Sequence, residues 1–121
     1  MSTQAWELVH EYGEGCKVYL DKQRLEVCGS TVKAFVRHYL VPPGEDKRNE
    51  KPVREIVFVN DYDTERNLTK PCALTFYYLD GTVSEMMTLV ADWSPAQRGS
   101  LIELNFVKSL TKAKKRKWWP F

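Results

Sequence analysis

Apolar and polar positions alternate along the first half of the chain with the period of two that β-strands require. The clearest run is Thr31–Val41, whose even positions are mostly apolar and whose odd positions mix cations with aromatic rings. Shorter runs of strand character lie at Ala5–Tyr12, Cys16–Asp21 and Leu25–Val27. Val53–Asp63 is apolar on both faces, which predicts a central strand that is covered on both sides.

The first of these runs, Ala5–Tyr12, contains an early tryptophan and a histidine. Regular strand alternation places Trp6, Leu8 and His10 together on one face. The intervening positions, which include Val9, then lie on the opposite face. The pattern therefore predicts that His10 shares its side of the sheet with the tryptophan.

Proline, glycine and short polar residues mark the turns and loops. Pro42–Pro52 is rich in proline and charge and predicts a solvated loop. The pair Asp80-Gly81 lies between two β-rich runs, Cys72–Leu79 and Thr82–Val90. Because aspartate and glycine tolerate positive φ, this pair predicts a two-residue hairpin turn.

The last apolar pattern has the period of a helix. Ser100 and Glu103 have the spacing of a capping box, in which each side chain binds the backbone N–H of the other residue. We therefore predict a helix that begins at Ser100. Its predicted apolar face consists of Ile102, Phe106, Val107, Leu110 and Ala113. A helix with such a face buries it most simply on the sheet.

Together these elements predict an α+β fold: an antiparallel β-sheet of about six strands with a C-terminal α-helix packed against it. A length of 121 residues corresponds to one domain. We assign residues 1–113 to this domain and residues 114–121 to a basic and aromatic C-terminal tail. No apolar run approaches the roughly 18 residues that a membrane span needs.

The distribution of charge separates the end of the chain from the rest. The chain has 18 basic and 16 acidic residues, a formal net charge of +2. Five of the basic residues lie between Lys112 and Lys117, which leaves 13 basic against 16 acidic residues, a net charge of −3, elsewhere. Because nucleic-acid binders usually carry positive charge on the folded surface, this body makes nucleic acid an unfavourable partner.

The tail combines cations with aromatic rings and is a candidate binding segment. Its candidate binding residues are Lys114, Lys115, Arg116, Lys117, Trp118 and Trp119. Near an anionic membrane each cation contributes about 1 kcal/mol and tryptophan anchors at the interface, so weak membrane-surface contact is one interpretation. Burial of about 150–250 Å² per aromatic side chain on the domain or on a partner protein is the other, and we favour it.

A second candidate binding surface lies on the odd positions of Thr31–Val41, namely Lys33, Phe35, Arg37 and Tyr39. Alternating cations and aromatic rings are typical of a platform on which single-stranded nucleic acid stacks. They are also typical of a face that a helix or a second subunit covers, because long cationic side chains lie over their neighbours. We favour the structural or dimeric interpretation.

Candidate catalytic and metal-binding residues are few. His10 and His38 are the only histidines, and a metal site would need a third ligand such as Asp61 or Asp63. The chain has neither a G-x-S-x-G nucleophile motif nor a Gly-rich phosphate loop. We therefore expect no metal, no cofactor and no enzymatic activity, with both histidines bonding locally on a sheet face.

The three cysteines are Cys16, Cys28 and Cys72, and no pair has the C-x-x-C spacing of a zinc site. An odd number is typical of free thiols in a reducing compartment, although a Cys16–Cys28 bridge between neighbouring strands is geometrically allowed. The chain as given begins without a signal-peptide pattern, so we expect a cytoplasmic protein. The periplasm or the cell surface is the alternative if a signal peptide was removed.

Six short motifs follow one another along the chain. They are Trp6, VYLD at Val18–Asp21, GSTVKAFVRHY at Gly29–Tyr39, VREIVFVNDYDTER at Val53–Arg66, FYYLDGTV at Phe76–Val83 and ADWSPAQRGS at Ala91–Ser100. Their order resembles that of the bacterial surface-adhesin protein E family and extends over roughly Trp6–Leu110. The resemblance implies a twisted antiparallel sheet with a packed terminal helix, a matrix-binding surface and a sheet-mediated dimer.

The chain departs from the family pattern at both cysteines of the family's disulfide, which correspond to Thr64 and to a position near Leu110. The paired loss suits a protein that works where thiols stay reduced. The resemblance therefore bears on fold more than on function. We expect a non-enzymatic binding protein with a protein partner or a second copy of itself. The alternative is a small anion-binding module for nucleic acid or acidic lipid that uses the basic tail.

Overall fold

The computed structural model describes residues 5–118, and it describes the side chains of residues 5–112. Eight β-strands and one α-helix follow one another along these residues. Their bounds are β1 Trp6–Tyr12, β2 Cys16–Asp21, β3 Glu26–Cys28, β4 Thr31–Asp46, β5 Lys51–Asp63, β6 Leu68–Tyr78, β7 Met87–Thr88, β8 Ser94–Pro95 and α1 Arg98–Trp118.

All eight strands belong to one antiparallel sheet. Its order is β1-β2-β4-β5-β6-β7, with β3 paired to β4 and β8 paired to β6. The helix packs against one side of this sheet, which we call the inner face, and the opposite side is the outer face. The predicted α+β class is confirmed. The sheet has eight strands and not about six, and two of the eight, β7 and β8, have only two residues each.

The hydrophobic core lies between α1 and the inner face of β2 and β4. Alternate residues of β4 from Val32 to Val36 are buried, as the sequence pattern predicts. The buried core consists of Val18, Leu20, Leu25, Val32, Ala34, Val36, Tyr62, Leu104 and Val107. The apolar run of β5, Ile56–Val59, is central in strand order but only half-buried. Its predicted burial on both sides is wrong, because the helix covers only the inner face of the sheet and the buried core there consists mainly of residues from β2, β4 and α1.

The helix begins two residues earlier than predicted, at Arg98. The backbone N–H of Leu101 donates to the carbonyl oxygen of Gln97 at 2.6 Å, which makes Gln97 the capping residue. The Ser100 hydroxyl accepts the backbone N–H of Gln97 at 2.9 Å. Ser100 therefore lies within the first helical turn, and the predicted capping box with Glu103 does not form.

The buried face of the helix also differs from the prediction. The buried residues of α1 are Glu103, Leu104, Val107 and Thr111. Ile102, predicted to be buried, is 42% exposed. Glu103 points towards the sheet because its carboxylate accepts a hydrogen bond from the hydroxyl of Tyr62, on β5, at 2.9 Å. A charged residue thus occupies part of the face that a purely apolar pattern assigns to hydrophobic side chains.

Strand β1 contains a β-bulge between Leu8 and His10. Leu8 pairs with Tyr19 on the outer face, whereas His10 pairs with the buried Val18 on the inner face. The prediction that Trp6, Leu8 and His10 share one face is therefore wrong. One extra residue in a strand reverses the alternation beyond it, and this reversal directs the imidazole towards the helix.

The segment Pro42–Pro52, predicted to be a solvated loop, is mostly the end of a long hairpin. Strand β4 extends to Asp46, and β5 begins at Lys51. The buried Asp46 carboxylate accepts hydrogen bonds from Arg48 Nη2 at 2.8 Å and from the Tyr78 hydroxyl at 2.6 Å. These bonds, from Arg48 first, lower the pKa of Asp46 and hold the turn together.

A turn forms at Asp80-Gly81, but it is longer than the predicted two-residue hairpin turn, because the backbone N–H of Tyr78 donates to the carbonyl oxygen of Thr82 at 2.9 Å. Gly81 has a φ of 91°, which favours glycine, whereas Asp80 lacks the positive φ that the prediction required. The strand expected after it is reduced to Met87–Thr88. The Ser84 hydroxyl accepts the backbone N–H of Phe76 at 2.9 Å. A side-chain hydroxyl thus accepts the hydrogen bond from a backbone N–H of β6 that a backbone carbonyl of a continuous neighbouring strand would otherwise accept.

The helix extends to Trp118, so the backbone of the first part of the tail continues α1. The predicted binding roles of the tail fall on side chains that lie outside the described part of the structure. These side chains belong to Lys114, Lys115, Arg116, Lys117, Trp118 and Trp119. Their roles therefore stay predictions.

Candidate functional site

The two cations predicted to bind ligands on β4 are paired with carboxylates on the neighbouring strand. Lys33 Nζ lies 3.0 Å from Asp61 Oδ1, and Lys33 and Asp61 are directly opposite in the sheet. Arg37 Nη2 donates to both carboxylate oxygens of Glu55 at 2.7 Å. The positive charges of Lys33 and Arg37 are therefore neutralised within the chain.

The aromatic rings of the same surface also have partners. The Arg24 guanidinium lies 4.1 Å from the ring centroid of Phe35, and the Arg54 guanidinium lies 5.1 Å from that of Tyr39. Both distances are within the range of cation–π contacts. The structure thus brings Lys33, Phe35, Arg37 and Tyr39 together on the outer face, each in contact with residues of this chain.

A cavity of about 670 Å³ lies on the inner face, between the first turns of α1 and the sheet. Its size is that of pockets for small organic molecules, which typically measure about 300–1,000 Å³. Five elements contribute to its wall, since the lining residues come from β1, β4, β5, β6 and α1. They are His10, Glu11, Tyr12, His38, Phe58, Asn60, Tyr62, Thr69, Pro71, Arg98, Gly99, Ser100, Ile102 and Glu103.

Three titratable side chains meet in this cavity, and we call them the imidazole–carboxylate cluster: His10, His38 and Glu103. Glu103 Oε2 lies 3.8 Å from Nε2 of His10 and 3.8 Å from Nε2 of His38. Both distances are too long for a hydrogen bond. The other carboxylate oxygen, Oε1, accepts the hydroxyl of Tyr62 at 2.9 Å.

Burial shifts the pKa values of the cluster towards the neutral forms. It raises the pKa of Glu103 to about 6, against the opposing effect of the hydrogen bond from Tyr62. It lowers the pKa of His38 to about 4, with a smaller contribution from the neighbouring His10. Burial likewise lowers the pKa of His10. At neutral pH the cluster therefore consists of two neutral imidazoles and one carboxylate.

Two polar atoms near the cluster are buried without a hydrogen-bond partner in the chain, His10 Nε2 and Asn60 Oδ1. The Tyr62 hydroxyl uses its proton for Glu103, so Asn60 Nδ2, at 3.3 Å, is the donor to the Tyr62 oxygen. Because Asn60 uses its Nδ2 atom in this bond, its Oδ1 atom is the one without a hydrogen-bond partner. The cavity wall therefore contains hydrogen-bond acceptors that the protein itself does not use.

Aromatic rings complete the wall beside the imidazoles. The rings of Tyr12 and His38 are 6.4 Å apart and edge-to-face, and those of His38 and Phe58 are 5.3 Å apart and edge-to-face. These contacts orient the His38 ring between two aromatic neighbours. The result is an apolar cavity with a small group of polar atoms at one point, the usual composition of a ligand site.

The histidines were predicted to lie on a sheet face and to bond locally. Both lie on the inner face, but the local bonding expected of His10 is incomplete, because its Nε2 atom is buried without a hydrogen-bond partner. Their convergence on Glu103 was missed, because Glu103 was assigned to a capping box and His10 to the opposite side of β1. One signal was available in the sequence: Glu103 precedes Val107 by one helical turn, so the two share a helix face.

The three cysteines do not line the cavity. Cys16, Cys28 and Cys72 are free thiols, so the Cys16–Cys28 bridge does not form. Among residues 5–118, no group of three or more His, Cys, Asp or Glu side chains is arranged to hold a metal ion. Within the same residues, no helix has the length and apolar character to cross a membrane.

No protein-family model, curated protein or solved structure matches this chain. The resemblance to the surface-adhesin protein E family therefore stays a prediction.

Proposed function

We propose that this chain is a non-enzymatic binding protein that holds a compact, largely apolar organic molecule in the cavity between α1 and the sheet. The observation that carries this proposal is the cavity itself, about 670 Å³ in volume and lined from five elements of the fold. Walls from several rigid elements position a ligand without a loop that has to fold around it.

The composition of the wall supports the binding of an organic molecule. Phe58, Tyr12 and Ile102 supply apolar surface, and Asn60 and Glu103 supply polar atoms for orientation. Apolar surface removed from water contributes about 25 cal/mol per Å², so a two-ring ligand gains several kcal/mol before the entropy cost of binding.

The outer face gives weaker support to the alternative, a module that binds nucleic acid or acidic lipid. Lys33 and Arg37 already contact Asp61 and Glu55, so an anionic ligand would have to break these ion pairs. Binding of anions through the basic tail stays a prediction, as do a protein partner, a homodimer and weak membrane-surface contact.

A second candidate function is proton transfer on the bound molecule. A buried carboxylate with a pKa raised to about 6, beside two imidazoles in a cavity, is also typical of general acid–base sites. Turnover of a bound compound that is lost in Glu103→Gln would favour this candidate. Binding without turnover favours the first.

The test is a calorimetric titration of the protein with indole, a neutral two-ring compound. We expect a dissociation constant of about 1 mM or tighter, the affinity reached by a well-seated ligand of this size. Gly99→Leu places an isobutyl group beside the His10 ring, since an added Cβ would lie 3.8 Å from His10 Cε1. This variant should bind indole at least about tenfold more weakly, a change of about 1.4 kcal/mol.

Gly99→Ala is the matched control, because its single methyl group makes only ordinary contact with His10. It should retain most of the affinity for indole. Ile102→Trp, at the exposed rim of the cavity, is a second blocking variant in case Gly99→Leu does not fold. Wild-type protein that does not bind indole at millimolar concentration, or blocked variants that bind it equally well, would refute the proposed function.

A further inference from the structure

We infer that the molecule held in this cavity carries a primary ammonium group, which pairs with the carboxylate of Glu103 while an aromatic or aliphatic body fills the rest of the space. This inference rests on the proposed function and specifies the chemical class of the ligand. It is carried by three features of the cavity: the position of the carboxylate, the unused acceptors around it and the local charge.

The first feature is the position of the Glu103 carboxylate. Glu103 is 5% exposed and lines the cavity, and Tyr62 holds its Oε1 atom. The Oε2 atom lies 3.8 Å from Nε2 of both histidines. Neither ring nitrogen is close enough to the carboxylate for a hydrogen bond. A single ligand nitrogen can reach two of these atoms, because an N–H···acceptor contact measures about 2.9 Å.

The second feature is the number and type of unused polar atoms. His10 Nε2 and Asn60 Oδ1 are buried without a partner, and the order of bonds through Tyr62 makes the Asn60 atom an acceptor. Neutral imidazole also presents one acceptor nitrogen. Glu103 Oε2 and Asn60 Oδ1 are thus two acceptors of the cavity wall, and His10 Nε2 is a third when the imidazole proton is on Nδ1. A primary ammonium has three donors and no acceptor, so it complements this set.

The third feature is the charge of the surroundings. The titratable groups that line the cavity with Glu103 are His10, Glu11 and Tyr12 from β1, His38 from β4, Tyr62 from β5 and Arg98 from α1; the β6 residues of the lining, Thr69 and Pro71, are uncharged. Burial keeps both imidazoles neutral by lowering the pKa of each. It raises the pKa values of both tyrosines, so their hydroxyls also stay neutral.

The only charged groups at the cavity wall are therefore Glu103 inside it and the exposed pair Glu11 and Arg98 at its edge. The two exposed charges have opposite signs and are screened by water. The interior consequently has one uncompensated negative charge. A cationic ligand stabilises a buried carboxylate of this kind, whereas the carboxylate repels an anionic ligand.

Aromatic side chains support the same ligand class. Tyr12 and Phe58 flank His38 edge-to-face on the cavity wall. Aromatic faces attract cations, and they also provide the apolar contact that the body of the ligand requires. The cavity thus suits an amine whose hydrocarbon part is at least one ring in size.

The test compares three indoles that differ in one group: tryptamine with a primary ammonium, tryptophol with a neutral hydroxyl and indole-3-propionate with a carboxylate. Isothermal titration at pH 7.5 should give a dissociation constant for tryptamine at least about tenfold lower than that for tryptophol. Indole-3-propionate should bind more weakly than either. The preference for tryptamine should decline below pH 6, where Glu103 takes up a proton.

Glu103→Gln removes the charge, retains the shape and leaves Tyr62 an acceptor, so it should reduce the preference for tryptamine to about twofold or less. The matched control is Glu55→Gln, the same change at a carboxylate of the outer face, which should leave the preference unchanged. Asn60→Leu should weaken tryptamine more than tryptophol, because it deletes one of the acceptors.

The outcomes separate this inference from the proposed function. Equal binding of tryptamine and tryptophol by the wild-type protein, with both blocked in Gly99→Leu, would overturn the inference and leave the proposed function intact. Tightest binding of the carboxylate would overturn it as well, and would indicate an anion site built from protonated imidazoles. No binding of any indole would refute both.

Discussion

The two faces of the sheet differ in whether their polar side chains are paired with one another. On the outer face, Arg37 and Lys33 each form an ion pair across neighbouring strands. On the inner face, Glu103 and the two histidines converge at 3.8 Å without direct bonds between them. The comparison shows that a prominent row of charged side chains can be paired within the chain. The group available to a ligand is the one that lacks hydrogen-bond or ion-pair partners in the protein.

The largest expected difference between the faces concerns apolar packing. Leu104→Ala removes a fully buried side chain from the core and should lower the free energy of unfolding by about 3 kcal/mol. Leu8→Ala, on the outer face at 43% exposure, should cost less than about 1 kcal/mol. Urea denaturation measures both. Leu101→Ala, 38% exposed on the same helix, is the control for helix propensity, and equal losses in all three would contradict the assigned core.

A second difference concerns the pH dependence of stability. Burial lowers the pKa of His38 from 6.5 to about 4, so unfolding takes up a proton in this window and acidification destabilises the fold by up to about 3 kcal/mol. Burial raises the pKa of Glu103 from 4.5 to about 6, so the folded chain binds the proton first and acidification stabilises it by about 2 kcal/mol.

The two effects oppose one another between pH 6 and pH 4.5, so proton uptake by Glu103 should reduce the loss of stability that His38, together with His10 and its lowered pKa, causes there. Glu103→Gln removes only the stabilising effect. Its free energy of unfolding should therefore fall from pH 6 to pH 4.5 by about 1 kcal/mol more than that of the wild type. Chemical denaturation at a series of pH values measures this change. A parallel dependence in both proteins would show that Glu103 does not titrate in this range.

The smallest expected effect is that of the outer-face ion pairs. Arg37 contacts Glu55 with both carboxylate oxygens but is 34% exposed, so solvent screening limits the coupling to about 0.5 kcal/mol. A double-mutant cycle with Arg37→Met and Glu55→Gln measures this value, and 1 M salt should reduce it. The exposed pair Lys47 and Glu45 should show no measurable coupling. A coupling above about 2 kcal/mol would mean that the outer face is covered by another surface.

Local sequence patterns predicted most of the architecture. The alternation in Thr31–Val41 identified the buried residues of β4, and the apolar period near the end of the chain identified α1. The position of the turn at Asp80-Gly81 was also predictable, because glycine adopts the positive φ that Gly81 has, but the length of the turn was predicted wrongly. Such features rely on interactions between near neighbours in sequence, which a pattern can show.

The candidate site could be predicted only in part. The sequence indicated that both histidines lie on a sheet face, but it did not indicate which face His10 occupies. The bulge beside Leu8 decides this, and it arises from the pairing of β1 with β2. The local spacing of Ser100 and Glu103 suggested a cap, whereas the hydrogen bond from Tyr62 draws the carboxylate into the cavity.

The sequence by itself thus determined the class of fold, the positions of the main strands along the chain and the presence of a terminal helix, because each depends on periods of two or 3.6 residues. Only the tertiary structure decided that His10, His38 and Glu103 meet. They belong to three elements far apart in the chain, and their approach depends on strand register and on the rotation of α1 about its axis. The sign of the charge left inside the cavity depends on that approach, since burial alone makes the imidazoles neutral and leaves the carboxylate to bind a partner.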